Sequence, residues 1–319
     1  MMEDNEALLE SLNSSPLYDN SVLLNGKLHA NDDTHTFINI NISSKYHDPQ
    51  TIINNYSKSK YPLILSVNIQ SLQSKYNALL EFITNLSNNN VQIDVIALQE
   101  TWNIPYSDLF LIPGFHPIIM ESRSNGRRGG GVGFYINSSI KFKKIQSIPQ
   151  STTSIFENIC LEILYKNNPI IISNIYRSPN PCPGTSLTSH MDQFLNLLDS
   201  HLNHLNNSNK RSFIVTDANI NLANIETNPN CLNYFNSVIS NGFIPLNTKS
   251  TRIQGNSYSL IDHILTNSNV IDDITTGTIV SDLSDHFINF LSIKPLVQNN
   301  QHSSKTFREM SQNNIDRFW

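Results

Sequence analysis

Apolar residues along this 319-residue chain come in two rhythms. Short, nearly continuous apolar runs occupy 61–67, 93–98, 132–136, 155–164, 169–176, 212–215, 260–265 and 287–293. Runs of that length, bounded by polar or turn residues, predict buried strands. Three stretches repeat at helical spacing instead. The first holds Leu72, Tyr76, Leu79, Leu80, Ile83 and Leu86, with Ser71 placed to cap it. The second holds Met191, Phe194, Leu195, Leu198, Leu202 and Leu205, and the third Leu232, Phe235, Val238 and Ile239. Strands outnumber helices and their order is mixed. That predicts an α/β layered domain with antiparallel pairing, not a repeated strand–helix unit.

The flanks differ from this middle. Residues 1–60 are rich in Asn, Ser and Asp, and such sequence buries too little surface to offset its ordering entropy, so a disordered low-complexity extension is expected there. The stretch 36–42 alternates like a strand but has no evident partner. The domain is expected over 61–295, and the polar tail 296–319 reads as the start of a connector.

Composition narrows the functional classes. The acidic start, Met1-Met2-Glu3-Asp4-Asn5-Glu6, is no secretory signal, and no apolar run reaches the ~18–20 residues of a membrane span. Cys160, Cys182 and Cys231 are too few and too scattered for a disulfide framework or a zinc site. The expectation is a soluble intracellular protein with reduced thiols. A formal net charge of −5 excludes DNA binding through an overall basic field, so contact with nucleic acid must rest on local patches and a metal. Arg123, Arg127, Arg128, Arg177 and Arg252 are candidates; Lys141, Lys143 and Lys144 read as solvated surface.

Polar clusters stand at the ends of the apolar runs: Asn68; Gln99-Glu100-Thr101; Asp217-Ala218-Asn219; Ile261-Asp262-His263-Ile264; and Ser284-Asp285-His286. A carboxylate such as Glu100, just past a strand's C-terminal end, sits where layered α/β folds bind ligands, though it reads equally as a turn cap. Asp217 and Asn219 can point the same way, one handling a proton or the attacking water and the other a phosphate oxygen; an Asx-turn is the plain alternative. Asp262 lies within an apolar strand and is costly to bury unpaired, and His286 is its natural partner. His263 reads as a structural histidine. Phosphodiester hydrolysis needs neutralised phosphate oxygens, an activated water and a stabilised leaving oxygen, and this set supplies groups for each. The run Gly129-Gly130-Gly131 lacks the Gly-Lys-Ser/Thr of a P-loop; it reads as a hairpin bringing Arg127 and Arg128 to a ligand, or as a plain turn.

In order, Asn68, Gln99-Glu100-Thr101-Trp102, Asn174-Ile175-Tyr176-Arg177-Ser178-Pro179, Asp217-Ala218-Asn219, Ile261-Asp262-His263-Ile264 and Ser284-Asp285-His286 resemble the endonuclease/exonuclease/phosphatase superfamily. Arg127-Arg128-Gly129-Gly130-Gly131-Val132 and Ser250-Thr251-Arg252 make the chain look most like the endonuclease domain of non-LTR (LINE-type) retrotransposons. The resemblance implies a deoxyribonuclease I-like four-layer sandwich, two mixed β-sheets flanked by helices. It implies Mg²⁺ as cofactor, with Mn²⁺ as a substitute, held by Glu100 with Asn68 and Asp285. It implies that Tyr176 and Asn219 contact the scissile phosphate, that Asp217 acts on the water or leaving group, and that Asp262 orients His286. Thr251, Arg127, Arg128, Arg177 and Arg252 are implied substrate contacts. The partner would be DNA, acted on by a monomer, in the nucleus if the DNA is chromosomal.

Two departures stand out. Thr216 precedes Asp217 where the family has Gly, and a Cβ there could crowd the turn. A reverse transcriptase domain is expected in an intact element, and the chain stops at Phe318-Trp319, where a linker toward it would begin. The rival expectations are a phosphatase on a soluble or lipid phosphoester and an inactive remnant serving as a binding module.

Overall fold

The computed structural model describes residues 2–30, 42–121, 129–146, 155–165, 168–181, 184–269 and 271–294. Its strands, in chain order, are β1 (Tyr46–His47), β2 (Leu63–Asn68), β3 (Val95–Gln99), β4 (Ile119–Glu121), β5 (Val132–Ile136), β6 (Lys141–Ile145), β7 (Glu157–Tyr165) and β8 (Asn168–Tyr176). They continue with β9 (Arg211–Asp217), β10 (Ile244–Pro245), β11 (Arg252–Gln254), β12 (Ser257–Ser259), β13 (Asp262–Thr266), β14 (Ile274–Ile279) and β15 (Ile288–Ile293). The helices are α1 (Met2–Ser14), α2 (Ser21–Ala30), α3 (Pro49–Tyr56), α4 (Leu72–Asn88), α5 (Leu187–Asn207) and α6 (Pro229–Ser240).

Two mixed sheets stack face to face. The first has the order β1-β14-β15-β2-β3-β5-β4 and the second β10-β13-β9-β8-β7-β6. Between them lies an apolar seam in which Ile64, Val95, Ala97 and Phe134 meet Ile159, Leu161, Ile172 and Phe213. The outer face of the first sheet packs on α3 and α4 through Leu65, Leu79, Ile83 and Leu86. That of the second packs on α5 and α6 through Phe194, Leu198, Phe235 and Val238. Helix, sheet, sheet and helix make the four expected layers. Central strands buried on both faces explain why their sequences are continuous apolar runs and do not alternate.

The pattern of apolar residues located the central elements to within a few residues. Ser71 caps α4, its Oγ accepting from Ser74 N at 3.4 Å. The chain also forms strands that hydropathy did not mark: β4, β6, β14 and the hairpin β11–β12. β6 is an edge strand whose lysines face outward, Lys143 against Glu162 at 3.1 Å and Lys144 against Glu121. Charged side chains suit an edge that must not pair with another chain. Thr216 lies in regular β9, paired with Ile175 and His263, so its Cβ crowds no turn.

The largest difference concerns the first sixty residues. Among those described, α1, α2, β1 and α3 are built onto the domain, where a disordered extension was expected. Leu24 of α2 is fully buried in the core beneath the second sheet, and β1 adds to the first sheet beside β14. Asn, Asp and Ser here are spent on side chain-to-backbone bonds. Asp48 caps α3 by accepting from Thr51 N at 2.6 Å, and Asn13 clasps Tyr46 through both its amide groups at 2.8 and 3.0 Å. Composition misled because polar residues that fold by this route look, in sequence, like those that do not fold. The stretch 36–41, the connector-like tail from 295, Arg127 and Arg128 lie outside the described residues. No helix among the described residues is long and apolar enough to cross a membrane.

If the amino-terminal segment is part of the core, Leu24→Ala opens a cavity and lowers unfolding free energy by about 2–5 kcal/mol. Chemical denaturation measures this; a loss under about 0.5 kcal/mol, the range of surface substitutions, contradicts it.

Candidate active site

Topology brings the polar clusters to one rim. β2 and β3 are parallel with Asn68 beside Gln99, so Asn68 and Glu100 leave the first sheet together. β8 and β9 are parallel with Tyr176 beside Asp217, and antiparallel β13 sets Asp262 opposite Asp217. β15 runs antiparallel to β2, so its start, preceded by Ser284-Asp285-His286, reaches the same end.

A chain of hydrogen bonds joins these groups. Asn68 Nδ2 donates to Glu100 Oε1 at 3.0 Å and to Asp217 Oδ2 at 2.8 Å, while its Oδ1 accepts from Gln70 N. Glu100 also accepts from the Tyr176 hydroxyl at 3.0 Å and from Trp102 Nε1 at 3.2 Å. Asp262 meets His286 Nδ1 at 2.9 and 3.1 Å and accepts from Thr251 Oγ1 at 2.5 Å. Ser284 Oγ accepts from His286 N and donates to the carbonyl of Asn68, tying the loop before β15 to the end of β2 within the first sheet.

Burial sets the electrostatics. Asp217 is 0 % exposed. Burial and then the charge of Asp262 push its carboxyl well above the usual carboxylate range, against the pull of His286 and Asn68. Burial alone would push His286 down; the charge and hydrogen bond of Asp262, with Asp217 and Asp285, outweigh it and raise the imidazole to about 9. With Nδ1 on Asp262, Nε2 faces Asp285 Oδ1 at 3.9 Å. His263, by contrast, is structural as expected. It is held by the Tyr234 hydroxyl and the Leu260 carbonyl, and burial pushes it down to about 4.

The donor chemistry fits a hard cation. Asp217, Asp262 and His286 offer ligand atoms within 4.8 Å of one another. In that trio Nδ1 of His286 is taken by Asp262, so the imidazole could offer a metal only its Nε2. Glu100 and Asp285 stand on the same rim as further carboxylates, the oxygen donors a hard divalent cation prefers. Asp285 Oδ1 is buried and has no hydrogen-bond partner among the described residues, an arrangement a cation would satisfy.

Several expected roles change. Asn68 presents an N–H₂, not an oxygen, to the carboxylates, so it bridges them and is no metal ligand. Thr251 is 0 % exposed and its hydroxyl holds Asp262, so it is not a contact to a substrate backbone. Arg177 is buried, with its guanidinium on the carbonyls of Ala218, Ser178 and Asn219; it buckles the 217–219 turn and touches no ligand. Asn219 answers by donating from Nδ2 to the Arg177 carbonyl. Arg252 and Gln254 both hold Asp285 Oδ2.

Sequence reasoning passed over the groups that hold Glu100 in place. Gln70, Ser71, Glu100, Trp102 and Asn219 all have positive φ without being glycine, a strain that gathers at functional sites. The 100–102 turn is pinned by Thr101 N on the Gly131 carbonyl at 3.3 Å and Trp102 N on that of Gly130 at 2.8 Å. Gly131 N donates to buried Glu157. A Cβ on Gly131 would sit 2.5 Å from Thr101 Oγ1, at φ +88°. The glycine run is therefore a cradle for the Glu100 turn. Behind it, Gln99 Nε2 donates to Asn174 Oδ1 at 2.6 Å, and Asn174 Nδ2 to the carbonyls of Leu98 and Gly133, crossing from sheet to sheet. An amide inside each of two apolar strands was the available signal.

A model of the Endonuclease/Exonuclease/phosphatase family matches residues 65–286. Among solved structures, the endonuclease domain of TRAS1, a telomere-specific non-LTR retrotransposon, aligns with a TM-score of 0.52 at 16% identity, covering 73% of this chain and 99% of that one. An AP endonuclease from Archaeoglobus fulgidus aligns at 0.53 and 13% identity, with coverage of 73% and 99%. The catalytic domain of Xenopus laevis APE2 aligns at 0.52 and 17%, covering 73% and 94%. At these identities the likeness establishes the fold. No curated protein matches the sequence.

Two outcomes test this geometry. Gly131→Ala should cost roughly 2 kcal/mol or more, because it combines overpacking with a left-handed backbone; denaturation at wild-type stability would refute the cradle. The second concerns pH. His286 is raised from 6.5 to about 9 on folding, so its contribution is full below 6.5 and fades as pH rises through 9. Asp217, also raised, acts in the same direction at lower pH. In EDTA, the unfolding midpoint should fall between pH 6.5 and 9, and His286→Gln should flatten that slope. A slope equal in both proteins contradicts the assignment.

Proposed function

The chain belongs to the endonuclease/exonuclease/phosphatase family, and from that premise we propose that it is a divalent-cation-dependent phosphodiester hydrolase that nicks one strand of DNA. The observation that carries the reading is the unbroken hydrogen-bonded path from Glu100 through Asn68 to Asp217, beside the Asp262–His286 pair. Glu100, with Asp285, is the site for Mg²⁺ or Mn²⁺; bound there, the ion would neutralise charge on the non-bridging phosphate oxygens.

The residues of the chain divide the remaining work. Asp217, buried and with a raised carboxyl, takes a proton from the attacking water; a base of raised pKa is better matched to neutral pH. Asn219 N holds Asp217 Oδ1 at 3.0 Å and keeps the carboxylate aimed. His286, kept cationic by Asp262, faces the phosphoryl group and balances charge that grows in the transition state. Tyr176 steadies Glu100 through its hydroxyl. The water's oxygen bonds to phosphorus as the bond to O3′ breaks, and the departing O3′ takes up a proton from solvent, leaving a 3′-hydroxyl and a 5′-phosphate. That hydroxyl is the primer a reverse transcriptase needs. The resemblance to retrotransposon endonucleases favours such a role, performed by a monomer and, on chromosomal DNA, in the nucleus.

Supercoiled plasmid with Mg²⁺ tests the proposal. The wild type should convert it to open circles, EDTA should abolish conversion, and Glu100→Ala and His286→Ala should each slow it about 100-fold or more, the scale of losing one stabilising group. Equal nicking by all three proteins rejects it. Release of inorganic phosphate from phosphomonoesters without nicking would show a phosphatase instead.

A further inference from the structure

The loop before Thr251 is held from outside the matched domain. Residues 13–48 precede the 65–286 region of the family match. They supply partners to the backbone of a short buried stretch, Thr248-Lys249-Ser250. Asn20 N donates to the Thr248 carbonyl at 2.8 Å, and Tyr18 O accepts from Ser250 N at 3.1 Å. Ser44 Oγ accepts from Thr248 N at 2.8 Å and Lys249 N at 3.2 Å. The Tyr46 hydroxyl donates to the Ser250 carbonyl at 2.8 Å. All three N–H groups of the stretch therefore end on the amino-terminal segment. The Lys249 side chain, only 2 % exposed, reaches the same segment, with Nζ 3.0 Å from Asp19 Oδ2 and 3.1 Å from the Asn13 carbonyl.

The next residue is Thr251, which has three tasks. Its hydroxyl donates to Asp262, its N–H bonds Ser259, and its carbonyl accepts from Phe287 N at 2.8 Å, one residue past His286. Tyr46 also meets the Phe287 ring edge-on at 6.1 Å, and Tyr18 meets Tyr258 of the β11–β12 hairpin at 5.6 Å. The amino-terminal segment thus touches the residue that follows His286 and the hairpin that carries Arg252.

We infer that residues 13–20 and 44–46 are a positioning brace for the reaction: Asp19, Ser44 and Tyr46 fix the 248–250 stretch, which fixes Thr251 and, through it, Asp262 and His286. A buried lysine beside Thr251 is costly unless its charge is met, so the Asp19–Lys249 pair is the point at which the brace locks. Loss of one contact leaves the fold intact but loosens the dyad, and small misplacements of catalytic groups cost rate far more than affinity. The inference rests on the hydrolase reading above, so the test carries a readout independent of turnover.

The full chain is compared with Tyr46→Phe, which removes one hydroxyl and keeps the ring on Phe287, with Asp19→Asn, and with Asp19→Asn combined with Lys249→Met. At a temperature where all are folded, the two single variants should lose about ten-fold or more in kcat for plasmid nicking, with KM for DNA unchanged. The double variant should recover part of the loss, because the unmet charge is gone. The Phe287 amide should exchange with solvent faster in both single variants than in the wild type. Wild-type kcat in folded Tyr46→Phe and Asp19→Asn overturns the brace. A wild type with no hydrolytic activity defeats the hydrolase reading instead, and the brace is then decided by exchange: an unchanged Phe287 amide in both single variants overturns it.

Discussion

A carboxylate enclosed between apolar sheets has to be compensated where it stands, and buried Asp217 and Asp262 crowd the rim of this sandwich beside half-buried Glu100. Removing one charge from water costs several kcal/mol even after relaxation. Asp217, Asp262 and Glu100 meet that cost jointly, through an amide, an imidazolium, a phenol, an indole and a hydroxyl. The same demand explains why so many neighbouring residues are polar and buried, and why the turn bearing Glu100 accepts left-handed backbone. Pairing also produces the chemistry. Asp262 keeps a proton on His286, and crowding by Asp262 together with burial keeps Asp217 basic. One constraint thus shapes both the local backbone and the acid–base character of the site.

Much of this was legible in sequence. Apolar runs ending in Asn68, Glu100, Asp217 and Tyr176 marked strand ends, but the pattern read as antiparallel; the parallel pairs β2–β3 and β8–β9, which present those ends on one side, came only with the structure. Asp262 was conspicuous as a carboxylate within an apolar strand, and the search for its partner led to His286. What sequence could not supply was direction. Asn68 and Thr251 were recognised but given tasks facing a ligand, whereas both turn inward and serve other residues. Arg177 looked like a cation for phosphate because a charge is visible in sequence and its burial is not. The glycine run was read as a flexible hairpin; what it supplies is room for Thr101, a requirement visible only once two distant loops are seen side by side.

The amino-terminal segment teaches a related lesson. Its Asn, Asp and Ser side chains bond to main-chain groups of the chain far downstream, as Ser44 does on Thr248. Such bonds depend on long-range geometry and leave no periodic trace. Hydropathy sees a few apolar anchors, among them Leu12, Leu24, Ile42, Tyr46 and Ile52, spaced too widely to announce an element.

The amide bridge between Gln99 and Asn174 has a consequence for how the two halves of the molecule stay aligned. Oil-like faces attract without direction, and one pleated sheet can slip along another at small cost as long as the contact area is kept. Two carboxamides meeting at 2.6 Å tolerate no such slip, because each would be stranded in a dry interior. The pair works as a dowel between planks. Since Glu100 rides on one plank and Asp217 on the other, the gauge of the cleft is set at that dowel, beneath the groups that use it.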